Sequence, residues 1–156
     1  DVLSGDALFV DRFSYHFFRP ETGDPIVFRA GGISGPNGQL GDKYYIKRLG
    51  GSGGETLAID EPILFIDGEA ATQNEAFVKN NEEIDGYRGY VSGWPGMSFL
   101  DPGTTFTVPE NELFALGDNS RNSQDSRYFG SFDQDRVIGR ALFIYYPFTK
   151  RWGPAD

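Results

Sequence analysis

The sequence contains no cysteine, which excludes disulfide bonds and thiolate chemistry from its 156 residues. Its one histidine, His16, excludes a zinc site built from several histidines, and a histidine-based triad would have to use that residue. No apolar run approaches the roughly 18 residues that a membrane-spanning helix needs. Positive charge is also scarce, since 14 Lys and Arg against 23 Asp and Glu give a net charge of −9. This balance argues against nucleic-acid binding and against steering to an anionic lipid surface.

Residues that favour strands and turns dominate what is present. With 38% hydrophobic and 15% aromatic residues, the chain is apolar and long enough for one globular domain with a sizeable core. Its 21 Gly and 9 Pro predict many turns, and its β-branched and aromatic residues occur in short runs. We therefore expect a mostly β fold and no amphipathic helix. The predicted strands are 7–10, 26–28, 44–49, 56–59, 63–66, 104–108, 113–116 and 137–147.

One part of the chain departs from this pattern. Residues 69–103 are first polar and acidic, and then rich in glycine and aromatic residues. Such a change of composition between two strand-rich parts favours an inserted subdomain. We therefore predict a catalytic β core formed by residues 1–68 and 104–156, with residues 69–103 as the insertion.

A dense polar stretch follows the apolar run 113–116, beginning at Gly117 and closing with Tyr128-Phe129-Gly130. Its side chains favour turns and hydrogen bonds to the backbone. They are Asp118, Asn119, Ser120, Arg121, Asn122, Ser123, Asp125, Ser126 and Arg127. A solvated loop is the simplest interpretation, but the order GDN, SxDSR, YFG favours a functional site. The start resembles a calcium loop only in part, because the glycine and the closing glutamate are missing, so no metal is expected.

Two adjacent cations lie on the predicted strand 44–49. Because strand residues alternate between faces, Lys47 and Arg48 point in opposite directions. Arginine stays charged, whereas a lysine removed from water has a lowered pKa and can act as a general base near neutral pH. The simpler interpretation is that the Lys47 side chain extends along the surface to reach water.

These two stretches together resemble conserved boxes of the bacterial type I signal peptidases. The box GDNRxxSxDSRyfG is matched at Gly117-Asp118-Asn119, Ser123, Asp125-Ser126-Arg127 and Tyr128-Phe129-Gly130. Ser120 stands where the family usually has arginine. The box YIKRxxGxPGD is matched at Tyr45-Ile46-Lys47-Arg48, Gly51 and Gly54, with Gly53 in place of proline and Glu55 in place of aspartate.

Further matches occur upstream, in the expected order. Gly23-Asp24 and the apolar run after it resemble the box GDxVvF, with Pro25 as a departure. Residues 5–10 resemble the stretch that follows the family's nucleophile, a serine in a box like SMxPTL. The resemblance therefore implies that the nucleophilic serine lies upstream of Asp1, and we expect this stretch of chain to be inactive by itself.

The resemblance implies a fold, an activity and a set of site residues. The fold would be an antiparallel β-sheet, barrel-like structure with a small insertion. The activity would be that of a serine endopeptidase that removes signal peptides by a Ser/Lys dyad, without a cofactor. Lys47 would be the general base and Ser123 would orient it. The supporting residues would be Asp118, Asp125, Ser126, Arg127 and Arg48, with Asp125 and Arg127 as an ion pair.

Partners and location follow from the same resemblance. The partners would be signal peptides of exported preproteins and the membrane surface, with the catalytic domain on the extracytoplasmic side of the bacterial cytoplasmic membrane. An extended substrate would pair with a sheet edge near Ile26 or residues 44–49. The residues that line its pockets are not predicted. A membrane-facing rim would be formed by Phe13, Phe17, Phe18 and Trp94.

Two alternative functions stay open from the sequence. One is a catalytically dead relative of the signal peptidases that serves as a peptide-binding module, which the departures at Pro25, Gly53 and Ser120 allow. The other is a soluble Ser/Lys autoprotease, like the cleaving domain of SOS-response repressors, which would share the β fold and the strand lysine.

Overall fold

Three stretches of the chain, residues 8–11, 19–144 and 153–154, are described by a computed structural model. The predictions for His16, for Phe13, Phe17 and Phe18, and for the residues before Leu8 lie outside these stretches. The strands are β1 Leu8–Asp11, β2 Pro25–Arg29, β3 Ser34–Gly35, β4 Gly38–Gln39, β5 Tyr44–Ser52, β6 Thr56–Asp60, β7 Ile63–Ile66, β8 Glu69–Ala70, β9 Phe106–Thr107, β10 Glu112–Leu116, β11 Phe132–Asp133, β12 Val137–Ile144 and β13 Gly153–Pro154. The helices are α1 Glu75–Glu82 and α2 Ser126–Phe129, with 3-10 turns at Ser120–Asn122 and Gln134–Arg136.

Two antiparallel sheets and one small hairpin organise the strands. The larger sheet has the order β1-β12-β2-β5-β10-β11, with β13 also paired to β12. The smaller sheet has the order β8-β7-β6-β9, and β3 pairs with β4. The predicted antiparallel β class is confirmed. The barrel-like closure is not found, because β1 and β11 lie at opposite ends of the larger sheet in the described part of the chain.

Strand β10 lies between two hydrophobic cores, which explains why its sequence is a continuous apolar run. Leu113 and Ala115 point into a core with β2 and β5, whereas Phe114 and Leu116 point into a core with β6 and β7. Side chains that alternate between two buried faces need apolar residues at every position. The polar stretch that starts at Gly117 therefore leaves the sheet at the junction of the two cores.

The register of β5 brings that polar stretch next to Lys47. Residues 44–48 of β5 pair with β2, and Lys47 lies opposite Ile26. On its other side, β5 pairs with β10 from Arg48 onward, where Leu116 is the last partner. Along residues 44–47 no described strand pairs with this second side. An open backbone edge therefore lies where β10 ends.

Residues 69–103 contain a helix, α1, that the sequence pattern did not predict. Asn74 caps α1, because its side-chain oxygen accepts from the backbone N–H of Ala76 at 2.8 Å. Phe77 and Tyr90 from this segment are buried in the core beside β6 and β7. The division of the chain into a β core and an inserted subdomain stays a prediction.

The other sequence predictions for strands correspond to observed elements with shifted ends. The strand predicted at 104–108 is only β9, and the loop predicted at 30–41 contains the β3–β4 hairpin. Among the helices of the described ranges, none has the length and apolar composition needed to cross a membrane.

Candidate active site

The side chain of Lys47 meets that of Ser123 on the inner face of β5. Lys47 Nζ donates to Ser123 Oγ at 2.8 Å and lies 5.7 Å from the centre of the Tyr45 ring. The lysine is half-buried. Burial lowers the pKa of Lys47 below its usual range; the carboxylate of Asp125 opposes this shift, and the charge of Arg127 adds to it. Lys47 therefore loses its proton more readily than an exposed lysine does.

No carboxylate forms an ion pair with Lys47 within the described residues. A direct carboxylate partner would stabilise the ammonium and raise its pKa. The hydroxyl of Ser123 orients the amine without supplying a charge. This arrangement is suited to a group that must lose and regain a proton.

Ser123 can approach Lys47 because residue 117 is a glycine. A Cβ at Gly117 would overlap both the Oγ and the Cβ of Ser123. The backbone at the end of β10 and the Ser123 side chain therefore occupy space that another residue type would fill. The sequence analysis recorded Gly117 as the start of the polar stretch but did not identify this packing role.

An ion pair with no solvent exposure lies behind this contact. Arg127 and Asp125 side chains are each 0% exposed, and Arg127 Nη2 lies 2.7 Å from Asp125 Oδ2. Arg127 Nε donates to Asp125 Oδ1 at 2.9 Å, so the pair is bidentate. Asp125 Oδ2 also accepts from the backbone N–H of Gly117 at 2.9 Å. The pair therefore fixes the end of β10 beside Ser123.

The remaining predicted residues join the same cluster. Asp118 accepts two hydrogen bonds from Arg48, at 2.8 Å from Nε and 3.0 Å from Nη2. Arg48 Nη1 donates to the carbonyl of Gly23 at 2.8 Å. Ser126 is buried, and its Oγ accepts from the backbone N–H of Ala115 at 2.9 Å. All seven predicted site residues thus lie in one connected cluster around the end of β10.

Some residues of the cluster were missed or undervalued in the sequence analysis. Ser120 is 3% exposed and its Oγ accepts from Arg127 Nη1 at 2.6 Å. Asn80 of α1 donates to the carbonyl of Asp118 at 3.1 Å. The position of Ser120 inside the polar stretch was a usable signal, whereas nothing in the local sequence marked Asn80.

A cleft of about 370 Å³ opens beside Ser123. Its walls come from the turn between β3 and β4, from residues 95–96, from residues 121–124 and from Tyr128. The described part of the chain has no group of three or more histidine or acidic side chains placed to hold a metal ion.

Comparisons with known proteins agree with this fold. The family model described as signal peptidase, peptidase S26, matches residues 1–146. A probable signal peptidase I-1 of Synechocystis sp. is 30% identical over 149 residues, covering 96% of this chain and 66% of that protein. Signal peptidase I T of Bacillus subtilis is 29% identical over 147 residues, covering 94% of this chain and 67% of that protein. The chain thus spans about two thirds of the length of these relatives.

A solved structure matches the described fold as well. The signal peptidase I of Enterococcus faecalis V583 aligns with a TM-score of 0.56 and 28% identity, covering 79% of this chain and 97% of that one. The relatives that these comparisons find form a class, the membrane-associated serine endopeptidases. Within that class the chain belongs to the signal peptidase family, peptidase S26. The family membership predicted from the two sequence boxes is therefore confirmed.

Proposed function

We propose that the chain is the catalytic domain of a type I signal peptidase, which removes signal peptides from exported preproteins. The observation that carries this proposal is the contact between the half-buried Lys47 Nζ and Ser123 Oγ at 2.8 Å. A lysine whose pKa is lowered by burial, and which has no direct carboxylate partner among the described residues, gives up its proton more readily and can then act as a base. The membership of the chain in the signal peptidase family supports the substrate class.

In this proposal Lys47 is the general base. Its neutral amine takes the proton of a serine hydroxyl as the serine oxygen attacks the scissile carbonyl carbon. The resulting ammonium gives a proton to the departing amine, which leaves an acyl-enzyme. A water molecule then attacks the acyl carbon as it gives a proton to Lys47, and the ammonium returns a proton to the serine oxygen as the ester bond breaks and the acid is released. The nucleophile assigned by the sequence resemblance precedes Gly5, outside the described residues.

Ser123 and the two ion pairs serve to position the amine of Lys47. A lysine has a flexible four-carbon side chain, so its amine needs a fixed partner to act at one point. Ser123 provides that partner, and Gly117 provides the space for Ser123. The Arg127–Asp125 and Arg48–Asp118 pairs brace the two ends of the polar stretch.

The open edge of β5 supports a peptide substrate. Along residues 44–47 the backbone has β2 on one side and no described strand on the other. An extended peptide can hydrogen-bond to such an edge and place alternate side chains into pockets. A substrate added there passes beside Lys47, the last residue of the open edge. The predicted edge near Ile26 has no open backbone for a peptide to pair with, because β2 is already paired with β12 and β5.

Exposed apolar side chains support contact with a membrane surface. Tyr44 and Ile46 on the outer face of β5 are 57% and 40% exposed, and Trp94 is 38% exposed. With a net charge of −9, such contact would depend on apolar burial rather than on attraction to anionic lipids. We place the domain on the extracytoplasmic side of the bacterial cytoplasmic membrane, with signal peptides and that surface as its partners.

The test is signal-peptide cleavage by the full-length protein and its variants. Lys47→Ala is expected to abolish cleavage while the protein remains folded, and Ser123→Ala to lower the rate less. The matched control is Lys43→Ala, which removes an exposed lysine that also lies 5.7 Å from the Tyr45 ring. Full activity in Lys47→Ala would refute the assigned role. A loss in Ser123→Ala as complete as in Lys47→Ala would contradict a role for Ser123 that is limited to orienting the amine.

The same assay separates the alternatives. A full-length protein that binds a signal peptide at the β5 edge but never cleaves it is a peptide-binding module. A protein that cleaves only its own chain is an autoprotease. Cleavage of a separate preprotein with a dependence on Lys47 supports the peptidase.

A further inference from the structure

The segment 69–103 is hydrogen-bonded to the polar stretch through its backbone groups. The N–H of Val91 donates to Ser120 Oγ at 3.0 Å, and Arg127 Nη1 donates to the carbonyl of Val91 at 2.8 Å. The backbone N–H groups of Ser98 and Phe99 both donate to the carbonyl of Arg127, at 2.9 and 3.1 Å. The segment therefore contacts Arg127 at both its guanidinium and its backbone carbonyl, and it is part of the support of the site.

Ser120 is the residue at which these contacts converge. Its Oγ accepts from both Arg127 Nη1, at 2.6 Å, and the N–H of Val91, at 3.0 Å. Its carbonyl accepts from Arg127 Nη2 at 2.7 Å. The residue is only 3% exposed. Its hydroxyl thus accepts from two buried N–H groups. Without it these two donors would lose this acceptor, and an unsatisfied donor in a protein interior is destabilising.

Arg127 has no spare donor to absorb the loss of this hydroxyl. Its Nε and one Nη2 hydrogen go to Asp125, the second Nη2 hydrogen goes to the Ser120 carbonyl, and Nη1 serves Ser120 Oγ and Val91. All five N–H groups of the guanidinium are used. The orientation of Arg127 therefore depends on Ser120, and the bidentate geometry of Asp125 depends on Arg127.

The path from this cluster to the lysine is short. Asp125 holds the N–H of Gly117, Gly117 packs against Ser123, and Ser123 accepts the hydrogen bond of Lys47. Each step is a direct contact between buried or half-buried groups. A displacement of Asp125 therefore reaches Lys47 without any change in the residues that touch the amine.

We propose that Ser120 is a positioning residue that ties the segment 69–103 to the Arg127–Asp125 pair and so holds Ser123 against Lys47. The catalytic consequence rests on the proposed function of Lys47 as a general base. Ser120 stands where the sequence resemblance expects an arginine. In this chain the small hydroxyl at that position joins the two parts of the structure.

The direct test is an NMR titration of the Lys47 Cε and Hε signals in the chain and in Ser120→Ala. Burial is the largest cause of the lowered pKa of Lys47, so water admitted by a loosened cluster raises that pKa, while the charges of Asp125 and Arg127 act in opposite directions. We expect the pKa in Ser120→Ala to shift upward by about one unit. Ser120→Thr, which keeps the hydroxyl, is expected to restore most of the original value.

The matched control is Ser92→Ala. Ser92 is a buried serine of the same segment, and its Oγ has no hydrogen-bond partner among the described residues. Its removal is expected to leave the pKa of Lys47 unchanged. If Ser120→Ala does not fold, Ser120→Cys keeps the size with a weaker acceptor and is expected to give an intermediate upward shift. An unchanged pKa in Ser120→Ala or Ser120→Cys, or an equal shift in Ser92→Ala, would overturn the proposal.

The titration needs no peptidase activity, so it separates the two proposals. If the full-length protein cleaves no preprotein, the proposed function fails while the dependence of the Lys47 pKa on Ser120 can still be measured. In an active full-length protein, Ser120→Ala is expected to lower kcat about tenfold with KM little changed, and to move the acid limb of the pH profile upward. A change confined to KM would contradict a positioning role.

Discussion

Lys47 and Arg48 are adjacent on β5, carry the same formal charge and face opposite environments. Arg48 makes a bidentate contact with Asp118 and a third hydrogen bond to the carbonyl of Gly23. Lys47 makes a hydrogen bond to the uncharged Ser123. Two neighbouring residues of one strand therefore differ in their partners: Arg48 is paired with a carboxylate, and Lys47 with a neutral hydroxyl.

The difference shows that the surroundings of Arg48 stabilise its charged form, whereas those of Lys47 make its charged form less stable. Burial alone would lower the pKa of Arg48, but its hydrogen bonds and its charge interaction with Asp118 outweigh burial and raise it. At Lys47, burial prevails and the pKa is lowered. The arginine is thus a permanent structural cation, whereas the lysine can become neutral, as proton transfer requires.

The largest expected effect comes from the pair that has no solvent exposure. In Asp125→Asn, Arg127 keeps its buried charge but loses its carboxylate, so we expect a loss of about 3–5 kcal/mol in the free energy of unfolding. Urea denaturation at neutral pH measures it. Asp118→Asn is the comparison, because the Asp118 side chain is 38% exposed and Arg48 keeps the carbonyl of Gly23.

A clearly smaller loss is expected in Asp118→Asn. Equal losses in the two variants would contradict the view that burial, rather than the number of hydrogen bonds, sets the importance of each pair.

The next effect concerns the space that Gly117 leaves for Ser123. The added Cβ in Gly117→Ala would overlap Ser123, so Ser123 must move away from Lys47. We expect a loss of about 1–3 kcal/mol in the free energy of unfolding and loss of the Lys47–Ser123 contact. Urea denaturation measures the first, and NMR of the Lys47 side chain measures the second.

A double variant makes this prediction specific. Gly117→Ala combined with Ser123→Gly removes the overlap, and we expect it to recover the stability but not the contact with Lys47. Gly41→Ala is the matched control, because a Cβ there would meet nothing closer than Lys43 Cε at 4.0 Å. Failure of the double variant to recover stability would show that Gly117 is required for another reason.

The sequence predicted the elements of this site better than their connections. The strand with Lys47, the polar stretch and the β class are local patterns, because alternation and turn residues are visible within a few positions. The contact of Lys47 with Ser123 spans 76 residues and was expected only through the resemblance to a family. The same resemblance implied a barrel-like fold; its antiparallel sheets are confirmed, and they do not form a closed barrel in the described part of the chain.

The missed features depend on packing between distant parts of the chain. Ser120 was recorded as a departure from the family box, but its partner Val91 is 29 residues away in a segment of unassigned role. Helix α1 has eight residues and few apolar positions, so its hydrophobic pattern is weak. No local rule predicts which backbone group will satisfy a buried hydroxyl or guanidinium.

The smallest expected effect is the pH dependence of stability due to Lys47 itself. Its folded-state pKa lies below the unfolded value of about 10.4, so between these two values the unfolded chain binds more protons. Stability should therefore rise with pH in that window, by at most about 1.4 kcal/mol per pH unit. Lys47→Met removes this contribution, so the wild-type free energy of unfolding minus that of Lys47→Met should increase with pH. Urea denaturation across the window measures the difference, and Lys43→Met controls for the change in net charge. A difference that stays flat or falls would mean that Lys47 is not held in a site that favours its neutral form, and that the two faces of β5 do not differ as described.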